Sequence, residues 1–324
     1  MNYFYFITGL FFTLFILILL ISYICFRIVF YVSRKNETPS DEISVPDGEI
    51  YEPYHELMRK WTKETREFDH LDFTIRSHDG LLLHAKYFEY APGALCEIMF
   101  HGYRGSAERD LSGGIQRCFA LGRNVLLVDQ RTSCGSEGNV ISFGINEHKD
   151  CLAWINFAIE HFGPDIKLIL TGISMGASTV LMAAGKPLPP NVVGVLADCG
   201  FSSAEEIIKK CAKDMHIPPT FIYPFIKLGA KVFGHFNLEE YSPLEAMETC
   251  NIPVLFFHGE ADSFVPCYMS QKMYNVCRSP KKLVTVPNAE HGLVYLVDNP
   301  GYFKAVVEFF SKNGVPTSLI SSLF

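Results

Sequence analysis

Gly172-Ile173-Ser174-Met175-Gly176 stands between the apolar run Lys167-Leu168-Ile169-Leu170-Thr171 and the run Ala177-Ser178-Thr179-Val180-Leu181-Met182-Ala183-Ala184. The order reads as strand, sharp turn, helix. A serine in such a G-x-S-x-G turn is held in strained backbone with Oγ projecting above the sheet, and glycines two residues to either side keep the crossing backbones clear. The helix that follows aims its N-terminus at charge developing on a bound carbonyl. The bare pattern arises by chance in about one chain in ten of this length. Its placement at a strand–helix junction is what makes it informative.

Around this turn the chain alternates strand-like and helix-like segments. Residues 71–75 and 81–87, joined through His78-Asp79-Gly80, predict an antiparallel hairpin. Buried strands are predicted over 96–100, 124–128, 167–171, 193–197, 253–257 and 282–286, most followed by a helical stretch. That alternation predicts a mostly parallel sheet with helices on both faces. An insertion at about 200–246 falls outside the pattern and predicts a small helical cap. Its run Ile217-Pro218-Pro219-Thr220-Phe221-Ile222-Tyr223-Pro224-Phe225-Ile226 either packs on the sheet or lines a pocket.

A nucleophilic Ser174 needs a base and an acid, and this architecture orders them serine, acid, histidine. His291 is the only histidine after residue 262, in Pro287-Asn288-Ala289-Glu290-His291-Gly292 behind the last strand. Acid candidates between the two include Asp198, Asp214, Glu260 and Asp262. Asp262 is preferred because His258-Gly259-Glu260-Ala261-Asp262 directly follows strand 253–257, at the carboxyl edge where ligands bind. Glu260 is the runner-up, and Asp198 reads as a turn or helix-capping residue. Acyl transfer also needs two N–H donors for the oxyanion. The backbone of Met175 is one; Tyr103, in His101-Gly102-Tyr103-Arg104-Gly105-Ser106, is the other. His101 reads as a structural turn residue.

Residues 3–26 carry no charged side chain, long enough as a helix to cross a bilayer core of ~30 Å. A cleaved signal would need a basic start and small residues near its end, whereas Met1-Asn2-Tyr3 has no Lys or Arg, and Tyr23, Phe26, Phe30 and Tyr31 stand where small residues belong. One N-terminal transmembrane helix is therefore expected. Arg27, Arg34 and Lys35 flank only its C-terminal side, which predicts a catalytic domain facing the cytoplasm. The expected organisation is an anchor over 1–35, a linker and lead-in helix over 36–67, the main domain over 68–313 and a tail over 314–324. The lead-in helix is read from the spacing of Leu57, Trp61 and Thr65, and the polar stretch 36–48 reads as a tether.

Net charge is −7, with no basic run, which argues against nucleic acid as a partner. Ten cysteines are scattered singly with no C-x-x-C pair or zinc-ligand spacing, so no metal site and no dense disulfide framework is expected. They read as buried small hydrophobes, in keeping with a reducing compartment. No nucleotide or flavin motif appears, and no cofactor is expected.

The set HGYRGS, VDQR, GISMGAS, ADCGFSS, HGEADSFVP and AEHG, in this order, resembles the α/β-hydrolase superfamily over residues 68–311. Within it the chain is most similar to membrane-anchored, mostly bacterial serine hydrolases grouped with serine aminopeptidase-like and acyl-esterase-like sequences. The resemblance implies an α/β-hydrolase fold with Ser174, Asp262 and His291 as triad and Tyr103 and Met175 as oxyanion donors. One departure stands out. Relatives follow the strand ending at Asp129 with D-x-R-x-x-G-x-S-x-G, often with His before the first of those glycines, whereas here Ser133 and Cys134 replace the usual pair. That loop is expected to shape the pocket wall and so the substrate range. The activity implied is carboxylesterase-like cleavage of an ester-like bond in a small-molecule or lipid-like acyl substrate. The alternatives are a peptidase or thioesterase with the same triad, or a hydrolase-fold binding protein without activity.

Overall fold

A computed structural model describes residues 2–33, 43–315 and 317. The first element is a long apolar helix, α1 (Asn2–Val29), followed by α2 (His55–Glu67). The hairpin β1 (Leu71–Arg76) and β2 (Leu82–Phe88) leads into β3 (Cys96–Phe100), α3 (Ala107–Ala120), β4 (Asn124–Val128), α4 (Glu147–Phe162), β5 (Leu168–Ile173), α5 (Met175–Ala184) and β6 (Val192–Asp198). The cap segment then carries α6 (Ala204–Asp214), α7 (Pro219–Val232) and α8 (Pro243–Thr249). The chain returns to the sheet through β7 (Val254–Gly259), α9 (Tyr268–Val276) and β8 (Lys281–Val286), and closes with α10 (Val294–Val297) and α11 (Asn299–Lys312).

Eight strands form one sheet in the order β1-β2-β4-β3-β5-β6-β7-β8. Pairing is antiparallel at β1/β2 and β2/β4 and parallel at every other junction. Two-residue periodicity divides the core: Ile98 and Phe100, Leu126 and Val128, Val254 and Phe256 pack under α4, α5, α8 and α9. Their neighbours Met99, Val125, Leu127, Leu255 and Phe257 face α3 and α11. This is the α/β-hydrolase arrangement that the strand–helix alternation predicts. The lead-in helix stands where expected, but its buried face runs through Met58, Thr62 and Thr65, while Leu57 is exposed. Trp61 lies over Gly113 of α3, where a Cβ would meet the indole at 2.7 Å.

A charged cluster sits in the core. Glu97 on β3 is fully buried, bound by Arg117 and Arg123 and by the Thr171 hydroxyl. Burial alone would raise its carboxyl, but the two guanidinium groups outweigh that and hold it at about 2. Glu97→Ala would strand two buried cations and is expected to cost about 3–5 kcal/mol. A denaturant midpoint equal to that of the wild type would remove this account.

Most of the expected tether (36–42), and the tail beyond 317, lie outside the described residues. On either side of 34–42 the chain packs against the domain. Tyr31 bridges to Val140 in antiparallel fashion, and His55 Nε2 lies 3.0 Å from the Pro46 carbonyl oxygen.

Candidate active site

Ser174 joins β5 to α5 with φ 55° and ψ −121°. Only glycine fits beside it: a Cβ at 172 would lie 2.2 Å from the Gly176 carbonyl oxygen, and one at 176 would lie 2.0 Å from that of Phe100. The serine N–H donates to the Asp198 carbonyl at 2.8 Å, which ties the turn to the end of β6.

The loops after β7 and β8 bring two further side chains to this serine. His291 Nε2 lies 2.9 Å from Ser174 Oγ, and its Nδ1 lies 2.7 Å from Asp262 Oδ2. A carboxylate only accepts, so Nδ1 carries the proton and Nε2 presents its lone pair to the hydroxyl. Asp262 Oδ1 accepts from the N–H groups of Phe264 and Val265 at 3.0 and 2.7 Å. Burial pushes the Asp262 carboxyl up, but hydrogen bonds from His258 and His291 prevail and hold it at about 2.

His258 has no assigned part in the motif reading. It is fully buried, with Nε2 2.7 Å from the Val265 carbonyl and 3.3 Å from Asp262 Oδ2. The carbonyl fixes a proton on Nε2, so His258 shows Asp262 an N–H, and its Nδ1 accepts from the Ser270 hydroxyl at 2.7 Å. Its inward place at the end of β7, four residues before Asp262, is the signal that could have found it. Tyr51 had no such signal: its hydroxyl crosses 240 residues of sequence to donate to the His291 carbonyl at 3.0 Å. Phe264 packs edge-on against the imidazole.

The remaining acid candidates lie elsewhere. Glu260 accepts from the Thr285 hydroxyl at 2.7 Å, and Asp214 pairs with Lys210 at the exposed end of α6. Of the two roles expected of Asp198, turn or helix cap, the cap of α6 falls to Ser203, and Asp198 ends β6. Its carboxyl lines the cavity beside Ser174, and burial raises it to about 6 against the opposing pull of His258 and His291. His101 is buried in a turn, with Nδ1 donating to the Gly102 carbonyl and Nε2 accepting from Gln130 N–H.

Among the described residues, two groups of side chains have the spacing of metal ligands. The Cys199 thiol lies within 4.8 Å of the Asp262 and His291 donor atoms, but burial, then Asp198 and Asp262, push its pKa far up, so it stays a neutral thiol. His78, Asp79 and Asp150 form the other, where the Arg131 guanidinium already binds both carboxylates.

Two cavities meet at Ser174. The larger, about 540 Å³, is partly polar, with Asp47, Tyr51, Arg109, Asp110 and Asp198 in its walls. The smaller, about 440 Å³, is apolar and lies under the cap, where Ile217, Ile222 and Ile226 of the expected apolar run are found with Ile207 and Ile208. Tyr103 borders both, and Met175, first residue of α5, has an N–H among the orphan donors of that helix. The loop carrying Ser133 and Cys134 lines neither cavity, a correction to the expected pocket wall. Ser133 Oγ instead donates to the Gly105 carbonyl at 2.9 Å, bracing the loop that holds Tyr103.

Comparison with known proteins places these features. YqkD of Bacillus subtilis is 30% identical over 193 residues, which make up 59% of this chain and 63% of YqkD. The chain thus spans under two thirds of that relative's length. YfhR of Escherichia coli K12 is 26% identical over 283 residues, 84% of this chain and 86% of its own. Among solved structures, the Pyrococcus furiosus esterase Pf2001 superposes with a TM-score of 0.64 at 20% identity, covering 83% of this chain and 96% of the esterase, a likeness of fold. The model of the prolyl oligopeptidase family matches residues 141–314, more than half of the chain and the part that holds Ser174, Asp262 and His291. With its mixed eight-stranded sheet and serine elbow, the chain belongs to the prolyl oligopeptidase family of α/β-hydrolase-fold serine hydrolases.

Proposed function

We propose that the protein is a membrane-anchored serine hydrolase that cleaves an ester-like bond to an apolar acyl group. The observation that carries this reading is the hydrogen-bonded chain Ser174–His291–Asp262, set where an apolar cavity meets a partly polar one. Ser174 Oγ attacks the acyl carbonyl while its proton passes to His291 Nε2. The tetrahedral oxyanion is held by the N–H groups of Tyr103 and Met175. Its collapse expels the leaving group, which takes the proton from His291, and leaves an ester on Ser174. Water, deprotonated by His291, then attacks that ester, releasing the acid and restoring the Ser174 hydroxyl. The apolar cavity holds the acyl chain and the larger one the leaving group.

Fluorophosphonate probes are expected to label Ser174 in the full-length protein. Across a series of esters, kcat/KM should climb by up to about fourfold per methylene until the cavity is filled. A series flat or falling beyond acetate removes the apolar-acyl reading. The family match supports a second reading, a peptidase using the same residues; aminoacyl amides turned over faster than every ester would establish it.

The apolar helix α1, whose most apolar 18-residue stretch has mean hydropathy 2.7, supplies the membrane span in this reading. Basic residues on its C-terminal side alone put the domain in the cytoplasm. Digestion of the domain by protease added outside intact cells would reverse that orientation.

A further inference from the structure

The C-terminal third of α1 is built into the hydrolase domain. Ser22 and Phe30 are fully buried, and Cys25 and Phe26 nearly so, in an apolar cluster shared with the cap. α1 runs against α7 at Gly229, where a Cβ would lie 2.4 Å from the Ser22 carbonyl oxygen, so the helices touch backbone to backbone. Beyond the helix, Val32 N–H donates to the Asn139 carbonyl and Ile141 N–H to that of Phe30, each at 2.8 Å. The carbonyls that the helix end leaves open are taken by the loop holding Tyr103. The Tyr103 hydroxyl donates to Val29, and the Arg104 guanidinium to Ile28 and Tyr31.

This packing makes α1 a wall of the apolar cavity. Ile21, Ile24, Cys25, Ile28 and Val29 line one side, facing Ile208, Met215 and Ile226 of the cap segment, with Ser174 at the inner end. Ile24, Ile28, Met215 and Ile217 are exposed as well as lining, so they mark its mouth. Exposed Phe221, at 64%, extends that apolar surface. Patches of this kind on a soluble surface are costly and mark contact with something apolar. The outer residues of α1, 3–20, are exposed and apolar almost throughout. At 1.5 Å per residue they span about 27 Å, close to the ~30 Å core of a bilayer. The mouth therefore lies at the membrane interface.

We propose that α1 is the membrane-side wall of the acyl-binding cavity, and that an acyl chain slides from the bilayer to Ser174 between α1 and the cap. Cys25, Ile24 and Ile28 then set the acyl length the enzyme accepts. The inference rests on the reading of Ser174 as an acylating serine and of α1 as a membrane span.

The test uses the full-length chain in detergent micelles, with nitrophenyl esters from acetate to palmitate. Each variant is scored by its ratio of long-chain to acetate kcat/KM, so loss of folded protein cancels. Cys25→Trp and, at the exposed position, Ile28→Trp should lower that ratio by about tenfold, as expected from shutting out two methylenes. Ile24→Ala with Ile28→Ala should move the optimum to longer chains. A wild-type preference for long chains that none of these variants shifts overturns the wall and leaves the acyl-esterase reading standing. A wild type with no such preference overturns both.

Discussion

Ser174→Ala in the full-length protein is expected to lower kcat for ester hydrolysis by about 10⁴- to 10⁶-fold. The hydroxyl is the one group at the elbow positioned to attack, and His291 Nε2 stands 2.9 Å away to take its proton. Without Oγ no acyl-enzyme forms, and what remains is binding and oxyanion stabilisation. The fold should not suffer. Alanine keeps the Cβ that φ 55° already accommodates, and the N–H bond to the Asp198 carbonyl is a backbone contact. The expected pattern is loss of turnover and fluorophosphonate labelling with an unshifted melting temperature. Turnover within tenfold of wild type in a labelling-negative variant would assign the chemistry to another residue.

Asp262→Asn should lower kcat by about 10⁴-fold, while Glu260→Gln changes it by less than about threefold. The reason is the way the carboxylate is bound. Oδ1 accepts from two backbone N–H groups, so in the asparagine the carbonyl oxygen must take that place. Its NH₂ then faces His291 Nδ1 and the Nε2–H of His258, two positions that need an acceptor. His291 can answer only by moving its proton to Nε2, where it points at Ser174 and cannot accept the hydroxyl proton. The variant should remain folded and keep its KM within a few fold. Because the Asp262 carboxyl is held at about 2, its ionisation contributes stability that is fully present above the ordinary carboxylate range and lost progressively as pH falls from there through about 2. Acid inactivation nearer neutrality must come from another group. Equal losses from the two substitutions, or the reverse ranking, would reassign the acid.

Ser174, Asp262 and His291, which the structure brings together, were legible one by one because each is marked by a local requirement. The elbow needs Gly172 and Gly176 for reasons confined to five residues, and Asp262 and His291 each follow a strand that its own apolar run announces. His258 sits in the same segment, yet the motif assigns it no part. Its part depends on Val265 and Ser270, whose positions follow from the turn after β7. The expectation that the loop of Ser133 and Cys134 shapes the pocket wall comes from its departure from the pattern of relatives. The close of the turn around Asp129 instead directs Ser133 to Gly105.

Sequence alone determined the eight strands, their alternation with helices, the strained serine turn and a helix apolar enough to cross a membrane, because periodicity and glycine geometry act over a few residues. Tertiary structure alone decided that Glu97, a charge in a strand, lies buried between two arginines drawn from α3 and the turn after it. It also decided that the end of α1 packs into the cap, joining Cys25 to the walls of a cavity that opens at Ser174, 149 residues further along the chain. Both depend on partners distant in sequence, and an apolar helix face or a lone charge specifies burial or pairing without specifying with what.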